Sequence, residues 1–169
     1  ATRLPIILYS IPSRCGVEIA VETIERLARA CDNIEGIKEA GGTPDRVSQI
    51  RDRMGKGFHI LSGDDSLTLP FMSVGAQGVV SVASNVIPKE VSRMVRAFAM
   101  GQPGVALKLH QKFYPLFKDL FIETNPVPAK AALALLGRMR DDVRLPIVSI
   151  SSANRKKLEK TMRLVGVLK

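Results

Sequence analysis

Lys38 ends the apolar run Ile34-Glu35-Gly36-Ile37-Lys38. Side chains alternate along an extended strand, so Ile34, Gly36 and Lys38 share one face. If that face points into a packed interior, desolvation disfavours the ammonium and frees an amine to attack a carbonyl carbon. Gly36, one layer below, is expected to leave room for the long side chain. The plain alternative is a lysine that escapes to solvent at a strand end. Tyr9 shares a face with Ile7 in an earlier run, and a phenol there can pass protons between substrate and bulk. Taken alone, a core aromatic with a satisfied hydroxyl is the preferred reading of such a Tyr. Arg14 follows that run, beside Ser13 and before Gly16; a guanidinium in such a loop suits bidentate capture of a carboxylate, although a surface arginine fits as well. Gly63 precedes Asp64 and Asp65, and a glycine at that place lets backbone amides approach a ligand closely. The aspartates have no His or third carboxylate at ligand spacing, so helix capping accounts for them and no metal is expected. His59 and His110 lack any partner pattern and read as structural.

The elements that must position these groups alternate. Leu4 to Ile11, Ile34 to Ala40, Gly57 to Ser62 and Gly78 to Ala83 are short apolar runs and read as strands. Helical spacing fills the intervals: Val17 to Ala30, a helix opened by Thr43-Pro44-Asp45 and continued by Val47, Ile50 and Met54, a short helix from Leu67 to Val74, and one from Pro88 to about Met100. Four strand–helix repeats at roughly twenty to thirty residues are the signature of right-handed parallel βαβ units. Beyond Gly104 only helices follow, over Val105 to Glu123, Pro128 to Leu136 and Ala153 to Val165.

A doubly wound nucleotide-binding sheet and half of an eight-stranded barrel both fit this order. The former calls for a Gly-rich phosphate turn after its first strand, and Ile11-Pro12-Ser13-Arg14-Cys15-Gly16 is not one. Every strand instead ends in polar residues, Tyr9-Ser10, Lys38-Glu39, Ser62-Gly63-Asp64 and Ser84-Asn85, as on the C-terminal rim of a βα barrel. The expected fold is therefore α/β: the C-terminal half of a (β/α)8 TIM barrel, its last four parallel strands with their helices over residues 1–103, then a C-terminal helical domain over 104–169.

Composition narrows the partners. The 169 residues carry 25 Lys+Arg against 16 Asp+Glu, a net charge of +9, but Trp is absent and aromatics are 5%. Apart from Arg155-Lys156-Lys157 the bases are scattered, so a solvated basic surface is preferred to nucleic-acid binding. No run reaches the roughly eighteen apolar residues of a membrane span, and no signal-peptide pattern occurs. Cys15 and Cys31 form neither a metal spacing nor a disulfide framework, which favours a reducing, cytoplasmic setting. The chain opens on Ala1-Thr2-Arg3-Leu4 directly before a strand and without an initiator Met, so an upstream portion is expected to precede it.

Together these segments resemble one family. Tyr9-Ser10-Ile11-Pro12-Ser13-Arg14-Cys15-Gly16 is similar to the Tyr-Asn-x-Pro-x-Arg-Thr-Gly motif of dihydrodipicolinate synthases, and Gly36-Ile37-Lys38-Glu39-Ala40 to their Schiff-base lysine motif. Leu61 to Asp65, Gly78 to Val82 and Glu123 to Lys130 match further family segments in the same order. The resemblance implies condensation of pyruvate with aspartate semialdehyde in lysine (diaminopimelate) synthesis. Lys38 would form a covalent imine with pyruvate without a cofactor, and Tyr9 would belong to the proton relay. Arg14 would bind the carboxylate of the second substrate, and Gly63 with the backbone of Val80 would line the pyruvate pocket. A homotetramer is implied, with no nucleic-acid or membrane partner. Ser10 and Cys15 depart from the family's Asn and Thr. Arg14 favours the synthase over sialic-acid lyases of the same superfamily, which generally lack an arginine there; sugar-acid aldolases and a noncatalytic keto-acid-binding paralogue are the alternatives. In the family the first four strands carry a hydroxyl pair, a Tyr that reaches a neighbouring subunit and most of the allosteric lysine site. This segment alone is accordingly expected to be inactive and to leave two open sheet edges.

Overall fold

The structure is a computed structural model and describes residues 2–169. The chain divides into two compact units, one ending at Val80 and one spanning Ser81–Lys169.

In the first unit, Ile-rich runs form β1 (Ile6–Ser10), β2 (Ile34–Glu39) and β3 (His59–Ser62), followed by a two-residue β4 (Gly78–Val79). They make one parallel sheet in the order β1-β2-β3-β4. Between them lie the single turn α1 (Pro12–Cys15), then α2 (Val21–Ala30), α3 (Pro44–Met54) and α4 (Thr68–Ser73). Ile37 and Ile60 project from one sheet face into a core with Ile24, Val47, Ile50 and Phe71, all fully buried. Each such side chain contributes about 1.5–3 kcal/mol by leaving water, and this core fixes which face of every strand the helices cover. The opposite face is left open: Ile7, Tyr9 and Val80 on it are each more than 40% exposed. Pro44 opens α3 and Thr43 Oγ1 accepts the Arg46 amide, the start that the sequence indicates.

Several boundaries differ from the sequence expectation: β1 and β3 each start two residues later, and the helix expected to reach Glu123 ends at Asp119. Two further differences have a visible cause. The helix expected from Val17 begins only at Val21. Residues Glu18 and Ile19 are drawn away by Arg46, which pairs with the Glu18 carboxylate and donates to the Ile19 carbonyl, while the Ile19 amide donates to Ser10 Oγ. The fourth strand, expected to reach Ala83, stops at Val79 and gives way to a 3-10 turn over Ala83–Asn85. Here side chains compete with the ladder for backbone groups: Ser81 Oγ accepts the Ser84 amide, and Ser84 Oγ and Asn85 Nδ2 donate to the carbonyls of Ser81 and Val82.

The second unit is helical, with α5 (Pro88–Ala99), α6 (Pro103–Asp119), α7 (Val127–Leu135) and α8 (Ser152–Leu164). α5 packs on α6, and α8 on both α6 and α7. Polar contacts fasten α8 at two levels. The buried Asp119 accepts from Thr161 Oγ1 at 2.6 Å and pairs with Lys157 at 3.3 Å. At the helix start, one oxygen of Glu123 accepts from the Ser151 amide, Ser151 Oγ and Asn154 Nδ2 at 2.7–3.0 Å. Ser151 is itself the cap of α8.

These three donors hold the Glu123 carboxyl below its ordinary value of 4.5, the Asn154 hydrogen bond contributing most. A lowered folded-state pKa means that the contribution to stability is complete above the unfolded value and is lost as pH falls through the folded one. The difference in melting temperature between wild type and Glu123→Gln is expected to be steady near neutrality and to shrink progressively below pH 4.5. Thermal melts of both proteins across this range check it; a difference that stays constant down to the acid limit contradicts the assignment.

Candidate active site

Alternation and register assemble the site on the open face of the sheet. Tyr9 on β1 pairs with Lys38 on β2, and Lys38 with Leu61 on β3, so the three stand in one row across the C-terminal end of the strands. Lys38 Nζ lies 3.7 Å from the centroid of the Tyr9 ring. That is the geometry of an ammonium over an aromatic face. The ladder runs on past the strand ends: the amides of Ala40, Gly63 and Val80 donate to the carbonyls of Ser10, Glu39 and Ser62 at 2.8–2.9 Å. Gly63 and Val80 are thereby held at the same rim, on the same face as Lys38 by alternation. Since the Val80 amide is committed to Ser62, a ligand would meet the Val80 carbonyl or side chain.

The glycines of this region have specific neighbours. A Cβ on Gly63 would stand 2.7 Å from Ala40 Cβ and 3.2 Å from Lys38 Cε, so the bare backbone is what lets the lysine stem lie where it does. Gly36 differs from its expected role. A Cβ there would meet the His59 carbonyl at 2.4 Å, His59 Cβ at 2.6 Å and Ile7 Cδ1 at 3.0 Å. The space it provides goes to the neighbouring strands, not to Lys38.

Arg14 sits in the last turn of α1, directly after β1, with its side chain exposed and without an ion pair among the described residues. Asp64 takes the capping role read from the sequence, accepting from the amide and hydroxyl of Ser66 at 2.7 Å. No cluster of three metal-ligating side chains occurs among the described residues. His59 is exposed, while His110 stacks loosely on Tyr114 and Phe117, and its burial pushes its pKa down.

Sequence reasoning missed the polar cluster on the reverse side of β2. Glu39, next to Lys38 but on the covered face, is fully buried and pairs with Arg46 Nε at 2.8 Å. A carboxylate directly after Lys38 in an alternating strand was the available signal, because a charge on a helix-covered face requires a partner. Ser10, one of the two motif departures, also lies on this covered face and accepts from the Ile19 amide.

The profile of the dihydrodipicolinate synthetase family matches residues 1–164. The chain belongs to this family. It is 48% identical over 160 residues to the 4-hydroxy-tetrahydrodipicolinate synthase of Aquifex aeolicus (strain VF5), covering 95% of this chain and 54% of that protein. The structure of the 4-hydroxy-tetrahydrodipicolinate synthase from the thermoacidophilic methanotroph Methylacidiphilum fumariolicum SolV matches with a TM-score of 0.95 and 57% identity, over 97% of this chain and 55% of that one. A dihydrodipicolinate synthase from Cyanidioschyzon merolae, solved with lysine bound, matches with a TM-score of 0.93 and 42% identity, over 98% and 56%. The chain thus spans about half the length of these relatives. The α/β fold read from the sequence, the C-terminal part of a (β/α)8 barrel enzyme, is the one shared with these members of the dihydrodipicolinate synthetase family.

Gly36→Ala tests the packing beneath the site. Its Cβ faces backbone, which cannot swing aside, so the substitution is expected to cost at least about 1–3 kcal/mol of stability. Urea denaturation measures it; a change within experimental error would show that β1 and β3 separate freely.

Proposed function

We propose that the chain is the C-terminal half of a 4-hydroxy-tetrahydrodipicolinate synthase, condensing pyruvate with aspartate semialdehyde in lysine biosynthesis. The observation that carries this reading is the row Tyr9–Lys38–Leu61 on the uncovered sheet face, with Gly63 packed against the lysine stem. The names of the relatives support the same reaction. In it, Lys38 Nζ attacks the ketone carbon of pyruvate, and loss of water leaves an imine; no separate cofactor is used. Removal of a methyl proton gives the enamine, whose carbon adds to the aldehyde. Tyr9, whose ring already meets Lys38 Nζ, carries protons to and from these oxygens. Arg14 engages the carboxylate of the aspartate semialdehyde through its fork of donors. Gly63 and the Val80 backbone bound the pyruvate.

In this proposal residues 1–103 complete the barrel and 104–169 form its helical domain, the catalytic protein is a cytoplasmic homotetramer, and the four preceding strands are needed for turnover. No helix among the described residues is long and apolar enough to cross a membrane.

Borohydride reduction in the presence of pyruvate is the decisive test on the complete barrel. A stable adduct should map to Lys38 by peptide mass spectrometry and vanish in Lys38→Ala. Tyr9→Phe should lower kcat by roughly 10²–10⁴-fold, the usual weight of a proton-transfer group. Full turnover by Lys38→Ala would overturn the mechanism, whereas an adduct without turnover of aspartate semialdehyde would mark a keto-acid-binding protein instead.

A further inference from the structure

Arg46 is a side chain of α3, buried to 8% exposure, and spends its guanidinium on three partners. Nε donates to Glu39 Oε2 at 2.8 Å, and Nη1 pairs with Glu18 Oε2 at 3.2 Å. Nη2 donates to the Ile19 carbonyl. The second oxygen of Glu39 accepts the Gly41 amide at 2.6 Å. A Cβ on Gly41 would come within 2.5 Å of Glu18 Oε1 and 2.6 Å of Glu39 Oε1, so both carboxylates close on the same backbone. The Ile19 amide is in turn held by Ser10 Oγ, the residue after Tyr9.

These contacts join two pieces of chain. One is the end of β2, where Glu39 follows Lys38 immediately. The other is the segment between α1 and α2, whose Glu18 and Ile19 lie four and five residues beyond Arg14. None of the residues 17–20 is helical, so no intrahelical ladder holds this segment. Ile19 packs on the core, and the polar attachment of the segment to the sheet runs through Ser10 and through Arg46 to Glu39. A rigid planar fork serves this purpose better than an ammonium, because its donors diverge in fixed directions.

We infer that Arg46, through Glu39 and Glu18, is a positioning residue for the second substrate: it sets the Arg14-bearing segment relative to the Lys38 strand. The inference rests on the proposed function, in which Arg14 receives the carboxylate of the aldehyde. Pyruvate capture needs only groups on the sheet and its rim, so loosening the Glu18 arm of the clamp, which leaves the Glu39–Arg46 pair in place, should act on the second half-reaction alone.

The experiment uses the complete barrel carrying Arg46→Lys or Glu18→Gln. Glu18 is half-exposed, so its neutralisation leaves the buried Glu39–Arg46 pair intact and keeps the test open if Arg46→Lys fails to fold. Three quantities are read: the rate of borohydride trapping with pyruvate alone, the KM for aspartate semialdehyde, and kcat. Glu18→Gln should raise that KM roughly two- to fivefold, the weight of a half-exposed ion pair. Arg46→Lys should raise it by about tenfold or more, as expected when a binding group is misplaced. Trapping and kcat should stay at the wild-type level in Glu18→Gln. Equal losses in trapping and turnover, or an unchanged KM in Glu18→Gln, would overturn the positioning role while leaving Lys38 chemistry standing. Failure of the wild-type protein to be trapped at all would overturn the proposed function, and the clamp's role with it.

Discussion

Strand β2 ends on two charges of opposite sign, and alternation sends them to opposite faces of the sheet. Lys38 goes to the open face. Glu39 goes under the helices, where its exposure is zero and only a buried partner makes it tolerable. A carboxylate so placed commits the rest of the unit. α3 must start close enough for Arg46 to reach it, and the segment before α2 must fold back to satisfy the remaining donors of the guanidinium. Removing one partner of such a pair costs about 3–5 kcal/mol, because the other is left buried and unpaired. The ionic pair is thus a weak source of net stability and a strong source of registration. A strand that slipped by one residue would exchange Lys38 for Glu39 on the open face and bury an ammonium against Ile37's neighbours.

Close approach of backbone does for the front of the sheet what Arg46 does for its back. Parallel pairing brings Ile7 and His59 to either side of Gly36, and any side chain there would have to push β1 and β3 away from β2. Two residues further along the same face, the row widens to hold Tyr9 and Lys38, and it closes again at Gly63. The lysine stem therefore has a defined trough: an aromatic ring on one flank and bare backbone on the other. Rigid elements on both sides are what a covalent amine requires, since its reach to a carbonyl carbon depends on the stem being held.

Much of this front face was legible because it obeys a period of two. Ile7 and Tyr9, and Gly36 and Lys38, follow from counting along an apolar run, and the polar strand ends pointed to a barrel rim. What escaped was set by partners distant in the chain. Glu39 meets a guanidinium seven residues on, and that guanidinium reaches back to Glu18 and Ile19. No local pattern announces such a triangle, and its capture of Glu18 and Ile19 is the reason that α2 starts four residues later than its apolar spacing indicates. The short β4 failed for another reason: Ser81, Ser84 and Asn85 have β-strand neighbours but side chains able to bond their own backbone, and the local bonds prevailed.

Parallel sheets are found with both faces covered, since their crossover helices and neighbours bury them. Here α2, α3 and α4 cover one side, while Ile7, Tyr9 and Val80 leave the other partly wet. β1 and β4 also stand at sheet edges, with ladder groups that a further strand would pair. A surface of this kind is stable when strands continue the sheet and curve it until its open face becomes an interior. Under the proposed function those strands are the four that precede this chain, and the same closure that pairs the edges would take Lys38 and Tyr9 out of water. Folding and chemistry then make one demand: the barrel that buries the apolar residues of this face is the one that desolvates the amine among them.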